Sequence, residues 1–189
     1  MELLKQRIME VGVVVSDQVL KLDAILNHQV DPTLIMEMGK EFARLFRESK
    51  PDKVLTVESS GIPIAFATAL QLGVPMVFAR RKKTVTMDQD TYSERVPSFT
   101  KGIVTDIMVS AHLLSKGERI LLIDDFIANG DAARGLIRII EKAEAELVGV
   151  GIAVEKLFQA GGRSLRERDI RVESLARIAS LSGGQIRFE

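Results

Sequence analysis

Short runs of adjacent apolar residues alternate along this chain with stretches in which apolar positions recur every three or four residues. The runs read as strands buried on both faces, the periodic stretches as helices that cover them. Leu3, Leu4, Ile8 and Val11 share one side of a first helix, which Gly12 is expected to end. Residues 13–15 read as a short strand, and residues 16–30 show no clean period. Asp31-Pro32 is a strong helix start, with a capping side chain followed by proline at the first helical position. Leu34, Ile35, Met38, Phe42, Leu45 and Phe46 then keep helical spacing, so this helix should pack on a sheet. Residues 54–57 read as the first core strand, leading through Glu58-Ser59-Ser60-Gly61 into a helix over 62–72 that Gly73 stops. A strand over 76–79 completes a βαβ unit with an expected right-handed crossover.

A polar segment then runs from Arg80 to about Lys101, long enough to suggest a functional lid over about 81–102 with a strand pair flanking its tip. The second strand of that pair is expected over 103–109. Residues 120–123 (ILLI) form another apolar run, followed by a helix through Leu136, Ile139 and Ile140 and by a buried strand over 147–154. Gly161-Gly162 is expected to break the chain, with one helical turn over 164–169 and late strands over 172–178 and 186–188. The alternation predicts an α/β protein, one domain over 1–189 built on a mainly parallel central sheet flanked by helices.

Composition narrows the function classes. The 26 basic and 26 acidic side chains cancel, so nothing in the net charge favours nucleic acid or an anionic membrane. Neutrality also leaves association of copies open. The absence of cysteine removes disulfides and thiolate metal sites and fits a reducing cytoplasm. No apolar run reaches the roughly 18 residues of a membrane span, and Met1 leads into a charged amphipathic segment rather than a signal peptide. A soluble cytoplasmic protein is expected.

The candidate chemistry centres on residues 120–133, ILLIDDFIANGDAA. A buried strand delivers Asp124 and Asp125, and the small-residue turn Ala128-Asn129-Gly130 opens a helix at Asp131 and Ala132. Ligands of open α/β sheets sit beyond the carboxyl ends of the strands, and such a turn aims several N–H groups at one point where the helix dipole favours an anion. A phosphate beside two acids is repelled unless the acids face hydroxyls or a bound metal, which describes a sugar phosphate. Ser59, Ser60 and Gly61 form a second tight turn at a strand end, where backbone can approach an anion closely. Arg80, Arg81, Lys82 and Lys83 lie between a core strand and the lid. Each feature has a plainer reading, as a polar strand-to-helix turn, a turn-capping aspartate or a solvated basic face. Lys156 at a strand end is by itself most simply solvent-facing, and Leu20 most simply core.

The strand, acid pair and small-residue loop together resemble the phosphoribosyl-diphosphate motif of the type I phosphoribosyltransferases. Asn129 and Ala132 stand where that family usually has threonine. Ala-Asn-Gly with alanine two places on is similar to one bacterial branch of the family, as are SDQVLK at 16–21, LNHQ at 26–29, ESSGI at 58–62 and VESLARI at 172–178. The resemblance implies the type I fold, with a small hood over the base site contributed by about residues 1–30 and the C-terminal segment. It implies transfer of 5-phosphoribosyl from its 1-diphosphate to a purine, xanthine first and guanine or hypoxanthine as alternatives, with magnesium carried on the diphosphate, no dedicated metal ligands, and a homodimer. Asp124 and Asp125 would face the ribose and stabilise its developing positive charge. Ala128 to Ala132 would hold the 5-phosphate, Ser59 to Gly61 the pyrophosphate, and Arg80, Arg81 and Lys83 the diphosphate as the lid closes. Lys156 would donate to an oxygen at purine position 6, with Leu20 and Asn27 covering the base and His28 left to packing or the surface. A regulator that binds the same sugar diphosphate is the alternative of another class, but it would carry a DNA-binding domain for which this chain has no spare length or basic excess.

Overall fold

The computed structural model describes residues 1–82, 90–98 and 103–189. Helix α1 (Glu2–Val11) closes at Gly12, whose N–H donates to the Ile8 carbonyl. Strands β1 (Val13–Ser16) and β2 (Val19–Lys21) form an antiparallel hairpin, and a single π-helical turn follows at Asp23–Asn27. Helix α2 (Pro32–Phe46) starts as its sequence signal requires, with Asp31 Oδ1 accepting from Leu34 N at 3.1 Å and Pro32 in the first turn. Strand β3 (Lys53–Val57), helix α3 (Ile62–Leu72) and strand β4 (Met76–Ala79) form the expected βαβ unit, and Gly73 ends α3 with φ of 73°. An antiparallel arm of β5 (Thr91–Ser98) and β6 (Ile103–Ser110) follows. The second half runs β7 (Arg119–Ile127), α4 (Asp131–Lys142), β8 (Glu146–Lys156), α5 (Gly161–Arg166), β9 (Val172–Ser180) and β10 (Arg187–Phe188).

The central sheet has the order β10-β9-β8-β7-β3-β4, parallel throughout except for β10. From β3 the chain moves outward to β4, whereas from β7 it moves the other way to β8 and β9. The boundary between β3 and β7 is therefore a topological switch point, where open sheets leave a crevice at the strands' carboxyl ends. Both faces of the sheet are covered, which is why the strands read as continuous apolar runs. Leu121 and Ile123 of β7 face a core shared with α1, α2 and α3, while Ile120 and Leu122 face a second core shared with α4 and the arm. No described helix is long and apolar enough to cross a membrane.

One expectation fails. Gly161-Gly162 does not break the chain but opens α5, and both glycines are buried. A Cβ on Gly161 would lie 2.5 Å from the Ala128 carbonyl oxygen, and one on Gly162 would collide with the Glu155 carboxylate. These glycines serve close packing rather than a turn.

The same logic governs the contact between α2 and α3. A Cβ on Gly39 would sit 2.6 Å from the Ala67 carbonyl carbon, so the helices touch backbone to side-chain stub. Gly39→Ala gains up to about 1 kcal/mol of helix propensity but forces the helices apart at a cost of roughly 1–3 kcal/mol. The expected outcome is a lower thermal midpoint, read by circular dichroism.

Candidate active site at the carboxyl end of the sheet

The carboxyl ends of β3, β4, β7 and β8 open into one cleft of about 1350 Å³. Every site residue expected from the sequence and described in the structure lines it: Leu20 and Asn27, Ser59 to Gly61, Arg80 and Arg81, Asp124 and Asp125, Ala128 to Ala132, and Lys156. Lys83 lies outside the described residues.

At the centre, β7 carries Asp124 into the switch-point crevice with only 6% of its surface exposed. Burial, and then the charge of Asp125, push its carboxyl well above the ordinary value of 3.8. Asp125 N donates to Asp124 Oδ1 at 3.0 Å. Burial also raises the Asp125 carboxyl, against the pull of its hydrogen bonds, which include one from Asn27 Nδ2 at 2.9 Å. The Glu58–Gly61 turn presses against this pair. A Cβ on Gly61 would collide with the Thr56 hydroxyl and lie 2.8 Å from Asp124 Oδ1, so only glycine lets the turn close on the acids. The Glu58–Ser59 peptide is cis. Thr56 Oγ1 is fully buried and has no hydrogen-bond partner among the described residues.

On one side of the acids lies the loop into α4. Gly130 takes φ of 82°, a conformation open to glycine, and no side chain caps the helix, so the first-turn N–H groups face the cleft unclaimed by a cap. Arg134 holds the loop from behind, donating to Asp131 Oδ1 at 2.8 Å and to Ser164 Oγ at 3.1 Å. On the β3–β4 side, Arg81 N donates to Glu58 Oε1 at 2.7 Å and its guanidinium reaches Thr105 of the arm at 3.3 Å. The Arg80 guanidinium stacks over Phe78, 5.4 Å from the ring centre. Two cations are thereby held at the cleft edge rather than waving in solvent.

On the remaining side, Lys156 ends β8. It is 9% exposed rather than solvent-facing, and burial lowers its pKa. Its ammonium donates to the Gln18 carbonyl at 2.8 Å and lies 5.7 Å from the centre of the Phe126 ring. Leu20, 6% exposed, and Asn27 line the same pocket, with exposed His28 at its rim. Phe126, Gln18, Glu58 and Thr105 escaped the sequence reading. Phe126 sits within the acid-pair motif and could have been found by strand parity; Gln18 meets Lys156 through its backbone carbonyl, a contact that leaves no side-chain signal.

A cleft that lines up an anion cradle, two acids and a buried cation along one sheet edge has the construction of a phosphoribosyl-transfer site. A model of the phosphoribosyl transferase domain matches residues 23–175, and the chain belongs to that family. Among its relatives, the xanthine phosphoribosyltransferase of Moorella thermoacetica is 57% identical over 187 residues, 99% of this chain and 95% of its own. That of Bacillus licheniformis is 53% identical over 188 residues, 100% of this chain and 97% of its own. The fold matches the crystal structure of adenine phosphoribosyltransferase from Rhodothermus marinus with a TM-score of 0.75, at 24% identity over 94% of this chain and 100% of that one. The enzyme of the same name from Trypanosoma brucei gives a TM-score of 0.75, at 18% identity over 92% and 79% of the two chains.

Because the folded Asp124 carboxyl sits above its unfolded value, the native protein keeps a proton over a pH range in which the unfolded chain has lost it. Stability therefore falls as pH rises through that range. Asp124→Asn escapes the loss and keeps an acceptor for Asp125 N. The variant is expected to melt above the parent at neutral pH, with the gap closing as pH falls below the ordinary value of 3.8. Thermal denaturation across pH checks this.

Proposed function

We propose that this chain transfers the 5-phosphoribosyl group of 5-phospho-α-D-ribose 1-diphosphate to xanthine, giving xanthosine 5'-monophosphate and pyrophosphate in purine salvage. One observation carries the reading: the pair of buried Asp124 and half-buried Asp125 lies between an uncapped helix start and a buried ammonium in a single cleft. Residues Ala128 to Ala132 hold the 5-phosphate with N–H groups and the Asn129 side chain. Ser59, Ser60 and Gly61 receive the pyrophosphate, and Arg80, Arg81 and Lys83 offset its charge; of the lid expected over 81–102, residues 83–89 and 99–102 lie outside the described residues. As the bond from ribose to diphosphate stretches, positive charge grows on the ring. The two acids are already desolvated and fixed there, so their stabilisation needs no reorganisation in the transition state. Among the described residues no group of three or more His, Cys, Asp or Glu side chains converges on one point. The acid pair offers hard oxygen donors, which suits magnesium held mainly by the diphosphate's oxygens and neutralising its charge.

Lys156 reads the base. An ammonium has three protons to donate and accepts none; one is taken by the Gln18 carbonyl, and the others suit a 6-oxo group. The 6-amino group of adenine would oppose donor to donor. Leu20 and Asn27 cover the purine, with residues 1–30 and the C-terminal strand as the hood of one domain spanning 1–189. A phosphorylated donor confines the reaction to the cytoplasm. Phe66 and Leu70, one turn apart on α3 and each 57% exposed, support a homodimer.

Purified protein with magnesium and phosphoribosyl diphosphate is expected to consume xanthine faster than guanine, hypoxanthine or adenine in direct competition. Equal or better use of hypoxanthine would remove the base assignment. Lys156→Ala should cost about 1.5–3 kcal/mol of base binding, roughly tenfold to a hundredfold in KM for the base, with little change for the diphosphate. An unchanged KM for the base would take Lys156 out of the site.

A further inference from the structure

Behind the phosphate loop stands α5, six residues long and opening on two glycines, a segment too short and too glycine-rich to hold itself helical. Its order comes from outside. Leu165 is fully buried in the core of the α4 face. Near its carboxyl end, Arg166 donates to Glu155 through both guanidinium nitrogens, at 2.6 and 2.8 Å. Glu155 is 2% exposed at the end of β8, directly before Lys156. The Ser174 hydroxyl donates to it at 2.6 Å, Arg177 Nε lies 3.7 Å away, and Gly162 lies flat against the carboxylate. None of these residues lines the cleft, so a charge network around the buried Glu155 stands directly behind the site.

The other end of α5 is the wall of the phosphate loop. Gly161 N donates to the Ala128 carbonyl at 2.9 Å, and a Cβ at Gly161 would lie 2.8 Å from Gly130 N. Ser164 Oγ donates to the Gly161 carbonyl at 2.9 Å and receives the Arg134 guanidinium, whose other nitrogen holds Asp131. The loop residues Ala128, Gly130 and Asp131 are thus all braced by α5 or by a side chain tied to it.

We infer that Glu155 and Arg166 are positioning residues for the 5-phosphate loop, acting through α5 on Ala128 and Gly130. The inference rests on the phosphoribosyl-diphosphate reading of the cleft. Fixing a bound group to within an ångström is worth up to about a hundredfold in rate or binding. Lys156 does not depend on the brace, because the β8–β9 ladder pairs it with Ile178. Loss of the Glu155–Arg166 bond therefore loosens the donor site and spares the base site.

The test compares parent, Arg166→Met, Arg166→Lys and the double variant Glu155→Gln/Arg166→Met. Removing Arg166 alone takes the bidentate partner from a buried carboxylate and destabilises the fold, whereas the double variant removes both charges of the pair and keeps the fold. The measurements are the thermal midpoint, KM for phosphoribosyl diphosphate and for xanthine, and ribose 5-phosphate affinity by calorimetry. In the double variant, KM for the diphosphate and the ribose 5-phosphate dissociation constant are expected to rise roughly tenfold to a hundredfold, with KM for xanthine nearly unchanged. Arg166→Lys keeps the charge but not the fork and should fall between. Parent-like donor binding in the double variant, or equal rises for both substrates, overturns the positioning role. A parent protein that neither turns over phosphoribosyl diphosphate nor binds ribose 5-phosphate overturns the reading of the cleft, and this inference with it.

Discussion

Two neighbouring carboxylates held near the end of a largely buried strand are expensive, and the surrounding structure is arranged around that expense. Water reaches little of Asp124, and Asp125 adds a like charge beside it. The protein offers partial relief: a backbone N–H to Asp124 and the Asn27 amide to Asp125. Neither partner is a cation. An acid pair left short of positive charge gains most from a ligand that brings hydroxyl donors or develops positive charge at that point. The closeness of the Glu58–Gly61 turn has the same root. Gly61 has no Cβ because Thr56 and Asp124 occupy that space, and the turn must reach the acids if one ligand is to touch both.

Sheet order does the rest. Since β3 and β7 are neighbours whose chains depart in opposite directions, the turns that follow them diverge and leave room between. The next strands outward, β4 and β8, deliver Arg80 and Lys156 to opposite walls of that room. Cations, anion cradle and acids come from four strand ends, so no single loop has to carry the whole constellation. Strand ends are stiffer than loop tips, which suits a site that acts by fixed electrostatics.

Legibility in the sequence followed the range of the interactions. The Asp31-Pro32 start of α2, the Gly73 stop of α3 and the run into Asp124 are set by neighbours a few residues away, and each was readable. The Gly161-Gly162 misreading has the opposite cause: the helix penalty of glycine is local, whereas the Ala128 and Glu155 contacts that favour it come from elsewhere. Residues 13–15 read as the strand they form, whereas the rest of the hairpin and the π-turn, over 16–27, showed no period because the strands are short and mostly exposed. The bond from Asn27 to Asp125 spans 98 positions and that from Lys156 to Gln18 spans 138, so no window along the chain could show either. Asn27 and Lys156 were placed at the site by family resemblance, and the residue types alone would have left Lys156 in solvent.

The two long-range bonds also help to order the irregular early segment. It buries Leu20, Leu22, Ile25 and Leu26, but its hairpin exposes Val13, Val15 and Val19, so apolar burial alone holds it only in part. Its polar ties include bonds to half-buried Asp125 and buried Lys156, two charges that face the cleft from neighbouring strands. A buried carboxylate and a buried ammonium each favour any dipole that reaches them. Asn27 supplies its N–H₂ end to the acid, and Gln18 supplies its carbonyl to the base-side cation. The same two charges that make the cleft chemically selective thereby anchor the segment that covers it.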